Sequence, residues 1–339
     1  MGVAKGARRI ISVEERAQLL EALDSSSYQV SAGGSLANSI VGVARLGLAS
    51  TGATQTSPLR VGMLSVAGSD AQGAFHNAQM QQAGVELLSA PSPGSATGTV
   101  VVLTTPDADR TFMSYLGSSQ PLELTPEAEE AISSTRLLII EGYLWEMKGA
   151  SKAISQAISA ARASGATVAL TMGDPGLVAR HRDEIWEQIS AGSVDLLFAN
   201  REEGEQLLDR PVTAAEAAQE LGSACSLAAI TDGPNGSQVS ALGRILAVPP
   251  FWREHRPVDT CGAGDAYTAG FLHAFLTGLD VASIGAFSAK VASAVISRPG
   301  ACLSASEASN LVQGLHIAAP QQRHRAILAL ADEASSSFC

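Results

Sequence analysis

Five short apolar runs dictate what this chain can fold into: residues 60–66 (RVGMLSV), 136–142 (RLLIIEG), 166–172 (ATVALTM), 194–200 (VDLLFAN) and 227–233 (LAAITDG). A strand with one face in water alternates polar and apolar residues. These runs are nearly continuous, the pattern of strands covered on both faces of a parallel sheet. Stretches of helical spacing separate them, near 71–83, 145–163, 181–191 and 213–222, and two Ala-rich helices follow at about 264–277 and 280–297. Strand and helix in alternation predict a doubly wound, mostly parallel α/β sheet with helices on both faces.

Two segments break this rhythm. Residues 98–117 are two β-rich runs around a Thr-Pro-Asp-Ala-Asp turn, which predicts a hairpin inserted into the α/β chain, the way lids are built over sites. Residues 236–250 form a second hairpin-like stretch, and 304–339 read as helical in part before a polar tail.

Charge excludes several classes of partner. The 339 residues carry 22 Lys and Arg against 33 Asp and Glu, a formal charge of −11. Such a surface repels phosphate backbones and anionic lipid, so neither nucleic acid nor a membrane surface is an expected partner. The four cysteines, Cys225, Cys261, Cys302 and Cys339, show no metal or disulfide spacing, which points to a soluble protein of a reducing, intracellular compartment. The six histidines show no metal spacing either, and read as structural or exposed. Lys5, Arg8 and Arg9, ahead of the first acid at Glu14, read as an ordinary exposed segment.

The strongest chemical signal is 259–278, DTCGAGDAYTAGFLHAFLTG. A Gly-Ala-Gly turn opens directly into a helix, so free amides at the helix N-terminus converge on one spot and make an anion site. Asp265 has two readings from local pattern alone. A carboxylate there caps the helix, or it takes a proton from a hydroxyl attacking a phosphorus bound at the amides. Arg110, at the hairpin tip, reads as paired with its neighbouring acids Asp107 and Asp109.

This segment resembles the C-terminal signature of the pfkB family of carbohydrate kinases, the ribokinase and adenosine kinase group. Residues 33–47 (GGSLANSIVGVARLG) resemble the N-terminal signature, Asn200 to Glu203 the Asn-x-x-Glu motif, and 231–237 (TDGPNGS) the nucleotide loop. Residues 105–119 and 141–145 further resemble the adenosine-kinase-like and plant plastid branches. The resemblance implies a ribokinase-like fold with a small β lid and one kinase domain over 1–318. The lid hairpin would fall at 98–117, the nucleotide-binding part at 195–304 and a tail at 319–339. It implies ATP-dependent transfer of the γ-phosphoryl to a primary alcohol of a sugar or nucleoside. Asp265 would be the general base, with the amides of Gly262, Ala263 and Gly264 holding the transferred phosphoryl. Asn200 and Glu203 would organise Mg²⁺ and the phosphates through water. Thr231, Gly233 and Gly236 would line the nucleotide, and Gly33, Gly34 and Asn38 would meet the acceptor. Asp259, Gly300 and Ser304 match a monovalent cation site, K⁺ in the family. The partners implied are ATP and a small sugar or nucleoside, in a monomer or homodimer of the cytoplasm or plastid stroma.

Each motif also has a plain structural reading: Glu203 as a solvated residue of a first helical turn, 231–237 as a simple turn, and 33–38 as a helix start packed on the sheet. The chain also departs from the family pattern, in which a first core strand carrying a substrate Asp precedes the Gly-Gly pair. Only 32 residues precede Gly33, and 5–23 resembles the connector after that strand, with Ile10 and Ile11 as lid strand. The first core strand is therefore expected to be missing. A working kinase and a catalytically impaired pfkB-like protein kept for binding or regulation are the two functional classes that follow.

Overall fold

The structure is a computed structural model that describes residues 5, 8–23, 28, 30–54, 59–105, 110–119, 123–251, 257–313 and 315. The expected tail, 319–339, and the Arg110 side chain lie outside the described residues.

In chain order, β1 (Arg8–Ile10) and α1 (Val13–Ala22) precede α2 (Ser35–Thr54), β2 (Val61–Met63), α3 (Ala71–Gln82) and β3 (Val85–Leu87). The inserted hairpin is β4 (Thr99–Thr104) and β5 (Arg110–Tyr115). Then come α4 (Pro126–Ser133), β6 (Leu137–Glu141), α5 (Ala150–Ala163), β7 (Thr167–Thr171), α6 (Pro175–Arg180) and α7 (Arg182–Ser190). β8 (Leu196–Asn200), α8 (Arg201–Leu208), α9 (Ala214–Ala224) and β9 (Leu227–Thr231) follow. The second hairpin is β10 (Ser237–Ala241) and β11 (Arg244–Val248), and α10 (Ala263–Leu276), α11 (Val281–Val295) and α12 (Ala305–Val312) complete the described chain.

Six strands form the main sheet in the order β11-β10-β9-β8-β7-β6. β6 to β9 are parallel, and β10 and β11 extend the sheet antiparallel. The continuous apolar runs have a direct cause in how side chains alternate between faces. Val168 and Leu170, Leu197 and Ala199, and Ala228 and Ile230 join one buried cluster with Ile154, Ile158 and Leu221 of α5 and α9. Their strand neighbours Ala169, Leu196, Phe198 and Ala229 join the other cluster, with Phe271 of α10 and Val291 of α11. Both faces are dry, so neither register position tolerates a polar side chain.

α10 is the most enclosed helix, with nine consecutive residues buried from Ala266 to Ala274. Phe271 stands edge-on to Phe198 of β8, ring centroids 5.1 Å apart. On its other side α10 packs against α2 so closely that a Cβ on Gly42 would sit 2.6 Å from the Ala269 Cβ.

The lid is a three-stranded sheet in the order β1-β5-β4. The hairpin β4–β5 is antiparallel, and β1 adds in parallel to the free side of β5, continued by the Ile11 N–H donating to the Ser114 carbonyl at 2.9 Å. The lid strand expected at Ile10 and Ile11 thus forms one or two residues earlier. The segment read as an ordinary exposed start is instead structural, with Arg8 paired to Asp174 and Arg9 to Glu15.

The run 60–66 yields only the short β2, which pairs in parallel with β3 rather than with the main sheet. Among the described residues, no strand pairs with the outer edge of β6 or of β2. Both edges line one cleft of about 2970 Å³, which also reaches the lid, the start of α2 and Asp265. Among the described residues the main sheet and the β2–β3 pair are therefore separate sheets.

Because Gly42 sets the spacing of α2 and α10, Gly42→Ala is expected to lower stability by about 1–3 kcal/mol through overpacking. Chemical denaturation checks this, and an unchanged midpoint would show that the helices can part without cost.

Candidate active site

The site is built where α10 begins. Gly262 takes a left-handed conformation, φ 76°, and a Cβ there would lie 2.5 Å from the Ala301 carbonyl oxygen, so only glycine fits. Asp259 fastens the surrounding loops: its Oδ1 accepts from the Cys261 N–H at 2.9 Å and its Oδ2 from the Gly300 N–H at 3.2 Å. Gly264, exposed in the first turn, leaves open space where a side chain would stand.

Asp265 does not cap its own helix. Gly262 is the N-cap residue, and the Asp265 carboxylate reaches across to α2. Ser35 Oγ donates to Oδ1 at 2.6 Å and Asn38 Nδ2 to Oδ2 at 2.8 Å. The Asn38 amide is oriented from behind, its Oδ1 accepting from Cys302 Sγ at 3.0 Å. Gly34, φ 115°, lets the chain turn into α2, whose first bond runs from the Asn38 N–H to the Gly34 carbonyl at 2.9 Å. Gly33, Gly34, Asn38, Asp265 and Gly300 all line the cleft.

A second group lies along the carboxyl ends of β8 and β9, where Asn200 and Thr231 are register partners. Asn200 and Glu203 cap α8 reciprocally: Asn200 Oδ1 accepts from the Glu203 N–H, and Glu203 Oε2 from the Asn200 N–H, both at 2.8 Å. Glu203 is buried, not solvated, with 5% of its surface exposed. Gly233, φ 51°, and Gly236, φ 89°, shape the turn into β10, where a Cβ on Gly236 would meet the Val248 carbonyl at 2.2 Å.

The monovalent-cation trio divides. Asp259 binds Gly300, whereas Ser304 is the N-cap of α12 in a capping box with Glu307.

Sequence reading assigned no role to Glu141 or Ser35. Glu141 ends β6 at the floor of the cleft and accepts a backbone hydrogen bond from Leu36. The available signal was a lone acid closing an apolar parallel strand. Burial raises the Glu141 pKa to about 7, and the nearby Asp265 charge adds to the effect. Burial likewise lifts Glu203 to about 7, against the Asn200 N–H and with the charges of Asp174, Asp265 and Glu202. Asp265 is raised by burial and held back by the Ser35 and Asn38 hydrogen bonds. A half-buried carboxylate near a helix N-terminus, with its pKa raised and its geometry fixed, has the properties of a proton acceptor.

The model of the pfkB family carbohydrate kinases matches residues 7–308. The chain belongs to this family. The adenosine kinase of Sinorhizobium meliloti is similar in structure, with a TM-score of 0.81 and 30% identity over 92% of this chain and 91% of that one. In sequence, a nucleoside kinase of Methanothermobacter thermautotrophicus is 25% identical over 79% of each chain. A 5-dehydro-2-deoxygluconokinase of Shouchella clausii is 24% identical over 87% of this chain and 90% of its own. The ribokinase-like α/β fold and kinase class are those of this pfkB chain too.

A carboxylate whose folded pKa exceeds its unfolded value stabilises the fold while protonated, and loses that contribution as pH rises through the folded value. The ligand-free kinase should therefore lose stability between the ordinary value of 4.5 and about 7, with Glu203 and Glu141 responsible. Glu203→Gln keeps an oxygen for the Asn200 N–H and removes the titration. It should flatten this slope by on the order of 3 kcal/mol. Thermal melts from pH 5 to 8 check it, and a slope equal to wild type would refute the burial argument.

Proposed function

We propose that this chain transfers the γ-phosphoryl of ATP to a primary alcohol of a small nucleoside or sugar, with Asp265 as the general base. The reading rests above all on the Asp265 carboxylate. It is turned away from its own helix end, fixed by Ser35 and Asn38, and placed one residue after the Gly-Ala-Gly turn. In this reading the acceptor lies against Gly33, Gly34 and Asn38. Asp265 takes the hydroxyl proton as the oxygen attacks, and the amides of Gly262, Ala263 and Gly264 face the transferred phosphoryl. Thr231, Gly233 and Gly236 flank the nucleotide. The lid covers the acceptor and excludes water.

Among the described residues, no group of three metal-ligating side chains forms a cage. That fits Mg²⁺, which keeps most of its waters and is held chiefly by substrate phosphates, with Asn200 and Glu203 as outer contacts. Asp259, Gly300 and Ser304 are the groups proposed for a monovalent cation, K⁺, with Ser304 also capping α12. The boundary of a single domain near 318, a monomer or homodimer, and the cytoplasm or plastid stroma belong to the same reading. No helix of the described residues is long and apolar enough to cross a membrane.

Similarity to an adenosine kinase supports a nucleoside as acceptor, and similarity to a 5-dehydro-2-deoxygluconokinase supports a sugar. A second reading is a pfkB-like binding or regulatory protein with little turnover. Coupled ADP release over adenosine, inosine, cytidine, ribose and fructose separates the two. Turnover on any of them supports the kinase, and ATP binding with no turnover on all supports the binding protein.

Asp265→Asn should cut turnover by at least ~100-fold while ATP still binds; wild-type turnover would remove Asp265 as base. A base that must be ionised gives kcat/KM an acid limb, here above the ordinary carboxylate range because burial raises Asp265. Glu141 stays protonated up to about 7, raised by burial and by the Asp265 charge, so it is largely neutral while Asp265 ionises, and Glu141→Gln should leave the limb in place. A limb that moves to lower pH would show Glu141 ionised ahead of Asp265.

A further inference from the structure

We propose that Arg8 is a positioning residue that latches the lid onto the carboxyl ends of the core strands and so sets how tightly the acceptor is held. The inference rests on the phosphotransfer reading above.

Arg8 stands in β1, opposite Phe112 of β5. Its guanidinium makes three kinds of contact. Nε donates to Ser114 Oγ at 3.3 Å, which keeps it tied to the lid. Nη1 leaves the lid and donates to Asp174 Oδ2 at 3.1 Å. The guanidinium plane also lies over Tyr143, with the central carbon 3.8 Å from the ring centroid. Asp174 follows β7 and caps α6, while Tyr143 lies in the turn after β6. One side chain thus touches the lid and the ends of two core strands, the place where an open α/β sheet keeps its ligands.

An exposed ion pair would contribute little, because water and side-chain entropy oppose it. Here the partners are already fixed. Asp174 Oδ1 accepts from the Leu177 N–H at 2.8 Å, so the carboxylate is held before Arg8 arrives. The Tyr143 hydroxyl donates to the Gly173 carbonyl at 3.1 Å, which holds the ring as a platform. Both charged side chains are 24% exposed, less than surface pairs such as Arg60 and Glu86, at 85% and 53%. On the lid side, Arg16 of α1 donates to Thr99 Oγ1 at 3.3 Å and lies 5.3 Å from the Tyr115 ring centroid. α1, β1 and the hairpin therefore hold together as one unit, and Arg8 links that unit across the cleft.

Loss of the latch lowers the closed population, so the acceptor is held less well and water enters more readily. Arg8→Ala should raise the acceptor KM about tenfold, equivalent to ~1.4 kcal/mol, leave the KM for ATP unchanged, and increase ADP release without acceptor relative to productive turnover. Arg8→Lys, which keeps the charge but not the planar stack, should recover part of the loss. Asp174→Asn keeps an oxygen for the Leu177 cap while removing the charge. Combined with Arg8→Ala it should add little further loss, since both variants break one contact. A parallel rise in both KM values, or additive losses in the double variant, would overturn the latch.

Hydrogen exchange tests the same contact without any acceptor. In Arg8→Ala, the amides of 99–104 and 110–115 should exchange about tenfold faster while those of β7 to β9 do not change. Unaltered lid exchange overturns the proposal whatever the activity. Faster lid exchange in a chain inert toward every acceptor upholds the latch and counts against the kinase reading alone.

Discussion

The contact between α2 and α10 is the constraint on which the rest of the site depends. Gly42 lets the helix axes approach, and the buried faces of both helices are filled by small or flat side chains such as Ala37, Ala44, Ala269 and Phe271. At the open end of this contact the same two helices exchange polar groups, Ser35 and Asn38 with Asp265, and Ser39 Oγ with the Asp265 carbonyl at 3.1 Å. Packing below and hydrogen bonding above reinforce each other, so the carboxylate holds its place without help from a ligand. The Gly262 turn, the Asp259 ties and the loop at Ala301 arrange the approach to that one carboxylate.

Electrostatics add a second layer. The Asp265 charge raises both Glu141 and Glu203, and the Asp174 and Glu202 charges add to the effect on Glu203. Such a concentration of acids is costly, and it favours protonation or the arrival of cations. Nearby cations are largely occupied: Arg8 by Asp174, and Arg298 by Glu307 and the Cys302 carbonyl. The net charge of −11 would not by itself attract an anionic nucleotide. In the proposed reading, recognition of phosphate falls to local amides and to the metal that accompanies it.

Much of this was legible in the residues because it depends on local rules. Continuous apolar runs, Thr-Pro-Asp before a β-rich run, and Gly-Ala-Gly at a helix start specify their neighbourhoods within a few positions. Harder to see were contacts between elements far apart in sequence. Nothing near Asp265 says that Ser35 will donate to it from 230 residues away. Arg8 looked like part of an exposed segment because its partners, Asp174 and Tyr143, come from other elements entirely. Glu203 was open to reading as a solvated helix residue, since a capping box looks the same in sequence whether buried or exposed. Ser304 matched a motif position, and the structure adds a local role as the N-cap of α12. Short-range chemistry is written in the sequence; which distant side chains complete it is decided by topology.

The divided sheet has a consequence for how the molecule behaves in company. Among the described residues, no strand covers the outer backbone edges of β6 and β2, which lie along a cleft whose volume, about 2970 Å³, exceeds the 300–1,000 Å³ typical of small-molecule pockets. Natural sheets protect such margins with charge, bulges or cover, because an unprotected margin is a template for any extended chain. Glu141 and the Arg60–Glu86 pair supply charge near these margins. The middle of β6, with Leu138, Ile139 and Ile140, has none. Among the described residues, then, the margin open to strand addition lies beside the residues proposed to meet the acceptor.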